Sequence, residues 1–339
     1  MKAILYRQPS GATLTDLPVP SISDSEALIA VEVCGLCGTD LMKLAQRPAQ
    51  AVLGHEVAGR IAKLGSRVRG FSEGDRVVLA HHVPCLDCHY CRRGSVSMCR
   101  QFKATNIEPG GFADFARASE LHVKHALLKV PDGLDLVAAS QTEPLACCLR
   151  NVKRLGSTSG DSVGIVGLGA IGIMTAQLLR NAGAEVLGLD LDGARAGALE
   201  PWGKGFTAAD AFEEALSAKT QGRGLDALVF TAGSSSFVAE KAAWLRDGGT
   251  LNIFASFHPS TAALDLNAVY HRELTIMSSY SPHPQDLREA LALIASGAVS
   301  IDAIKPKDFS LDELEQAARA LRARAIMKAV FRPAAGALR

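Results

Sequence analysis

The sequence predicts an α/β protein in two parts: a mostly antiparallel β domain, then a doubly wound parallel sheet. Three observations carry this. Up to about residue 150, short β-type runs are separated by turns bearing Gly, Pro and Asp. From about residue 160, apolar strands alternate with helical stretches, the rhythm of a parallel sheet covered on both faces. A chain of 339 residues, 48% hydrophobic and 21% charged, is also too long for one ordinary core and suits two.

In chain order, the first β-type runs are 2–6 (KAILY), 26–36 (EALIAVEVCGL), 56–65 (EVAGRIAKLG) and 75–80 (DRVVLA). The rhythm then changes. Residues 161–169 (DSVGIVGLG) read as a strand, 170–183 as a helix ending on Gly183, and 185–192 as the next strand. Further strands are expected at 225–233, 249–257 and 273–280, with a helix over 234–249 (SSSFVAEKAAWLRDGG). From about 284 the chain returns to a helix, a link and a second helix at 310–323, which Ser310 and Glu313 open as a capping box. Arg319, Arg322 and Arg324 on it read as a solvated face. A strand at 326–332 (IMKAVFR) ends the ordered part, and 333–339 is expected to fray.

Composition narrows the function. With 36 basic against 35 acidic residues, the net charge of +1 suggests no nucleic-acid or anionic-membrane partner. No stretch approaches the roughly 18 uninterrupted apolar residues of a membrane helix. The N-terminus, interrupted by Arg7 and Pro9, is no signal peptide. Five of the eight cysteines fall in metal-ligand spacings, which fits a reducing, cytoplasmic setting better than a disulfide framework.

Three motifs carry chemistry. Gly167, Gly169 and Gly172, with Ala170 and Ile171 between them, form G-x-G-x-x-G directly between a predicted strand and a predicted helix. The first glycine permits a tight turn, the second lets a pyrophosphate approach the backbone, and the third lets the helix pack closely. Asp190 ends the next strand, eighteen residues past Gly172, where a carboxylate can bond both ribose hydroxyls. It would repel a 2′-phosphate and so points to NAD over NADP. Arg195 could favour that phosphate or lie against the adenine. Thr231 and Ala232, at the end of a later strand, are further candidates for the cofactor site.

Cys85, Cys88, Cys91 and Cys99 are spaced C-x2-C-x2-C-x7-C. Four thiolates suit tetrahedral Zn²⁺. The alternative is an iron–sulfur cluster, whose bacterial form has a shorter final gap followed by Pro; here Arg100 follows Cys99. The third constellation is scattered. Cys37, His55 with Glu56, and Glu143 together offer sulfur, nitrogen and oxygen donors, the chemistry of a zinc that keeps a position open. The bland alternative is a structural His–Glu neighbour pair, with Cys34, Cys147 and Cys148 as small buried apolar residues.

The segments CGTD (37–40), GHEVAGRIAKLGSRV (54–68), GGFADFA (110–116), EPLA (143–146) and GLGAIG (167–172), with the four-cysteine loop, resemble the zinc-containing medium-chain dehydrogenase/reductase family in order and spacing. The resemblance covers nearly the whole chain. It implies a GroES-like catalytic domain (1–150) with a structural zinc lobe at about 84–100. A Rossmann NAD-binding domain (151–282) follows, and 283–339 completes the first. It implies two zinc ions per chain: a structural one on the four cysteines and a catalytic one on Cys37, His55 and a carboxylate from Glu56 or Glu143. Asp40 would orient His55, and Thr39 would take the substrate proton.

Glu143-Pro-Leu resembles the sorbitol dehydrogenase branch, which implies a secondary alcohol of a polyol, sugar alcohol or cyclitol as the small-molecule substrate. An L-threonine 3-dehydrogenase is the runner-up, a non-enzymatic zinc module the rival from another class, and a homodimer or homotetramer the expected assembly. Two departures stand out. Met42 occupies the place of a proton-relaying His, leaving water, Lys43 or the His81–His82 pair as the route. Ser281 sits near the place of an arginine typical of sorbitol dehydrogenases.

Overall fold

The computed structural model describes residues 1–7, 11–46, 51–257 and 260–333, without the side chains of 45 and 46. The expected fraying of 334–339 lies outside these residues. The chain forms two compact units, Met1–Ala146 with Pro282–Arg339, and Cys147–Ser281.

The first unit contains β1 (Lys2–Arg7), β2 (Gly11–Asp16), β3 (Ala27–Gly35), β4 (Ala51–Val52), β5 (Glu56–Leu64), β6 (Arg76–Ala80), β7 (Phe115–Ala118) and β8 (Leu127–Lys129). Strands β2, β1 and β4 form a small antiparallel sheet. The second unit contains β9 (Ser162–Val166), β10 (Glu185–Leu189), β11 (Lys204–Phe206), β12 (Leu225–Phe230), β13 (Leu245–Ile253) and β14 (Thr275–Ser278). The chain then supplies β15 (Pro306–Phe309) and β16 (Lys328–Phe331) to the first unit, whose larger sheet runs β15-β16-β3-β5-β6-β8, with β7 also paired to β3.

Strand β3 is central because, apart from Glu32, its sequence is apolar. Ala27, Leu28, Ile29, Val31, Val33 and Cys34 are all buried, so both faces need cover. Its last residues pair with β16 on one side, Val330 with Gly35 and Phe331 with Cys34, and with β5 on the other, Gly35 with Glu56. The C-terminal segment thereby reaches the end of β3 from which the candidate metal residues emerge.

The six strands of the second unit are parallel, in the order β11-β10-β9-β12-β13-β14. All five residues of β9 are buried, as a strand covered on both faces requires. The reversal of strand order lies between β9 and β12, and the glycine turn leaves the carboxyl end of β9, where open parallel sheets bind ligands.

The helix expected over 234–249 is shorter. It spans Ser235–Lys241, followed by a 3₁₀ turn at Ala242–Trp244, and Leu245 already starts β13. Pairing with β12 decides this: Leu245 opposes Leu225 and Thr250 opposes Ala227, and Gly248, at φ 71°, lies in the resulting bulge. The β-type reading of the first part did not resolve two helices, Gly38–Gln46 within it and Thr142–Leu155 beginning at its end. Both carry candidate site residues.

Candidate active site

Cys37, His55 and Glu56 come together, each offering one ligand atom, with those atoms all within 4.8 Å of one another. Chain geometry explains the meeting. Cys37 follows the end of β3 and precedes the helix Gly38–Gln46; His55 precedes β5, and Glu56 begins it, opposite Gly35.

Asp40 fixes the cluster. Fully buried in the first helical turn, its carboxylate accepts the backbone N–H of Cys37 (3.2 Å) and of Gly54 (3.5 Å) and faces His55 Nδ1 at 3.3 Å. Burial alone would raise the pKa of Asp40 and lower that of His55. The mutual attraction wins at both: Asp40 is held below the usual carboxylate range, and His55 is held well above the usual imidazole range. With Nδ1 committed to Asp40, Nε2 is the nitrogen left for a metal, the pattern by which a carboxylate orients a ligating histidine.

Glu56 is completely buried and forms an ion pair with Lys328 of β16 through Oε2. Lys328 is also buried, and its Nζ donates to the Leu36 carbonyl at 3.3 Å. Burial pushes the Lys328 pKa down, but the charges of Glu56, Cys37 and Glu143 more than offset this and raise it. Sequence reading missed Lys328. The local signal was a lysine inside an otherwise apolar strand, KAVF, where a free charge has no place. Glu143, in the first turn of Thr142–Leu155, is buried but does not belong to the three-residue group. Thr39 is exposed on the helix beside Cys37.

His81 packs against His55 with ring centroids 4.5 Å apart, and His82 against His81 at 3.9 Å, the pairs tilted by 42° and 41°. Burial, reinforced by neighbouring positive groups, pushes His81 well below the usual range and His82 down to about 4. Met42 is exposed and Lys43 half-buried.

The four cysteines form a second group, their sulfurs all within 4.8 Å of one another. Their sulfurs lie 3.5 Å (Cys99–Cys85), 3.6 Å (Cys88–Cys91) and 3.9 Å (Cys85–Cys91) apart. A tetrahedral ion with Zn–S of about 2.3 Å requires sulfurs about 3.8 Å apart, whereas a disulfide requires about 2.0 Å. The spacing therefore fits a metal. Backbone N–H groups support it: Cys85 donates to Cys99 Sγ (3.4 Å) and Cys88 to Cys85 Sγ (3.3 Å). Of the remaining cysteines, Cys34 and Cys148 are buried and Cys147 is only partly so.

In the second unit the glycine turn is sterically specified. Gly167 has φ 94°, and a Cβ there would lie 2.6 Å from the Ala232 methyl and 2.8 Å from Thr231 Oγ1. A Cβ on Gly172 would lie 2.0 Å from the Gly167 carbonyl oxygen. Thr231 thus closes the turn and donates to the Gly167 carbonyl at 2.7 Å. Gly169, which precedes the helix Ala170–Asn181, is different: its would-be Cβ approaches only Arg195 Nη1, at 3.7 Å. The protein leaves that backbone uncovered, as close approach of a phosphate needs. Ala170 and Ile171 form the first turn of this helix, and the Ile171 carbonyl accepts from Cys148 Sγ at 3.7 Å.

Asp190 accepts the backbone N–H of Leu168 (2.7 Å) and of Asp192 (3.0 Å), and it is not fully buried. Arg195 extends over the glycine turn from the helix Gly193–Ala198. Ser281 has φ 63°, and its carbonyl and that of Tyr280 accept from the Arg150 guanidinium at 2.8 Å.

Comparison with known proteins agrees with both halves. The alcohol dehydrogenase GroES-like domain family matches residues 23–132, and the zinc-binding dehydrogenase family matches 170–296. A sorbitol dehydrogenase of Halalkalibacterium halodurans is 27% identical over 98% of this chain and 99% of its own. An L-threonine 3-dehydrogenase of Bacillus velezensis is 28% identical over 93% of this chain and 94% of its own. A protein of Sinorhizobium meliloti 1021 described as a zinc-binding dehydrogenase, solved bound to NADP, superimposes with a TM-score of 0.85 at 28% identity, covering 98% of this chain and 99% of that one. Two successive family matches in one chain, with relatives matched over nearly their whole length, lead to one conclusion: the chain belongs to the zinc-type medium-chain dehydrogenase family and is an oxidoreductase.

Proposed function

We propose that the chain is an NAD-linked dehydrogenase acting on a secondary alcohol of a polyol, sugar alcohol or cyclitol. The observation that carries this is the mixed donor set of Cys37, His55 and Glu56, three side chains where a closed metal site would have four. Bound there, zinc would supply positive charge that lowers the pKa of an alcohol hydroxyl; NAD would supply the hydride acceptor.

The chain's own residues do the rest. Asp40 holds His55 in the tautomer that presents Nε2. Thr39, exposed beside Cys37, receives the hydroxyl proton. With His82 at about 4 and His81 also depressed, neither histidine binds a proton readily near neutrality, which favours water over the His81–His82 pair as the exit route. Asp190 receives the ribose hydroxyls, and Gly167, Gly169 and the helix start beyond them receive the pyrophosphate. Asp190 keeps acceptor capacity for both hydroxyls, because a carboxylate accepts about four hydrogen bonds and the backbone uses two.

The polyol class is favoured by the relative named for sorbitol. L-Threonine is the second reading, favoured by a relative of similar identity named for it. Absorbance at 340 nm with NAD and a panel of polyols, cyclitols, their phosphates and hydroxy amino acids tests both. Turnover confined to L-threonine would replace the polyol reading, and turnover with no alcohol would remove it.

We also read the protein as a cytoplasmic homo-oligomer. Among the described residues no helix is long and apolar enough to cross a membrane. Among the described residues strand β14 ends its sheet with an unpaired edge, and Ile276, Tyr280, Tyr270 and Leu266 around it are exposed. An apolar open edge suits pairing with a second copy. Sedimentation showing a monomer at micromolar concentration would contradict this.

A further inference from the structure

Lys328 is a buried cation for which the function above has no use. Only 6% of its side chain is exposed, and its anionic partner, Glu56, is fully buried. Taking both charges out of water is costly, so such a pair is weak evidence for stability. The backbone is nevertheless shaped to hold it. Residue 35 is glycine, and a Cβ there would lie 1.8 Å from Glu56 Oε2, the oxygen that faces Lys328. The Leu36 N–H bonds the Ala329 carbonyl at 3.0 Å, which locks the lysine-bearing strand beside the same turn.

A carboxylate can offer a metal one oxygen or two. With Oε2 drawn to the Lys328 ammonium, Oε1 is the less encumbered oxygen of Glu56 for an ion shared with Cys37 and His55. We propose that Lys328 is a positioning residue: by holding Oε2 of Glu56 it restricts that carboxylate to a single metal-binding oxygen and so keeps a coordination position free for substrate. This rests on the proposed metal site, and it adds that the site is kept open by a charge brought in from the C-terminal segment. Removing the ammonium leaves both oxygens free to turn to the cation.

The test uses the full chain with its four-cysteine metal retained and Co²⁺ placed in the second site. Wild type, Lys328→Met and Lys328→Arg are compared by visible absorption, by chelator competition and by turnover. The Met variant is expected to show the weaker absorption of a higher coordination number, to hold the metal about tenfold more tightly, and to lose most of its kcat. The Arg variant should keep the wild-type spectrum. A purely structural lysine predicts the reverse, an unchanged spectrum and weaker metal binding in the Met variant, and that result overturns the inference while leaving the metal site intact. A wild type that binds no ion at Cys37, His55 and Glu56 overturns the inference and the functional reading together.

Should Lys328→Met fail to fold, infrared difference spectra of the wild type with and without metal serve instead, with Glu56→Gln identifying the band. A wide separation of the two carboxylate stretches supports one-oxygen binding, and a narrow one contradicts it.

Discussion

The four-cysteine group and the Cys37–His55–Glu56 group lie in one unit of the fold and are built on opposite principles. The first uses four identical soft donors from fifteen consecutive positions, 85–99, on short turns and helices that have little structure of their own. The second draws different donors from two sequence regions, orients one through Asp40, and places Lys328 against another. Four thiolates complete a tetrahedron and leave nothing for a substrate. Three unlike donors, with a cation set beside one of them, would leave a position open on the reading proposed above. On the function proposed above, the first group braces the fold and the second carries the chemistry.

Breaking the contrast from the chemical side should give the largest effect. His55→Ala removes the nitrogen donor and should reduce kcat/KM by about a thousandfold or more, with four-cysteine metal and thermal stability nearly unchanged. Steady-state kinetics with metal analysis check this. From the bracing side, Cys99→Ser should lower the melting temperature by about 10 °C. Activity per folded molecule should stay within about twofold of wild type, which would fail if the lobe took part in the reaction.

A subtler break is Asp40→Asn. It keeps the shape but removes the charge that fixes the His55 tautomer, and it should cost about 10–100-fold in metal affinity or activity. Equilibrium dialysis separates it from a folding defect. Glu56→Gln should fall in the same range and exceed Glu143→Gln, since only Glu56 belongs to the three-residue group. The smallest effect is expected outside both groups. Asp190→Ser should narrow the preference for NAD over NADP several-fold, measured as a ratio of kcat/KM, by removing the charge that repels a 2′-phosphate. A wild type already faster with NADP would show that Arg195, reaching over the glycine turn, dominates.

The same contrast explains what the sequence made legible. The cysteine loop and the glycine turn are local motifs. Residues 85–99 and 167–172 carry their geometry in their own spacing, and the 3.5–3.9 Å sulfur separations follow from it. Cys37 and the His55–Glu56 pair were legible mainly through the resemblance, because nothing between residues 37 and 55 fixes their distance until β3 and β5 pair. Lys328 showed only as a charge in an apolar strand, with nothing to name its partner. Its partner is 272 positions away, and only the pairing of β16 with β3 brings the two together. The helix expected over 234–249 failed for a related reason: its last residues have helical spacing but join β13, where the neighbouring strand outweighs local preference. Gly35 reads as an ordinary strand-end glycine until the Glu56 carboxylate is seen to fill its missing side chain.

The central claim, one closed and one open metal site in the same unit, is tested most directly by counting. Purified protein is titrated with a chelator while bound zinc, turnover and the circular dichroism of the fold are followed together. The account predicts two zinc ions per chain, the first removed with loss of activity and an intact fold, the second released only as the fold is lost. A single zinc per chain, leaving only on unfolding, would contradict it.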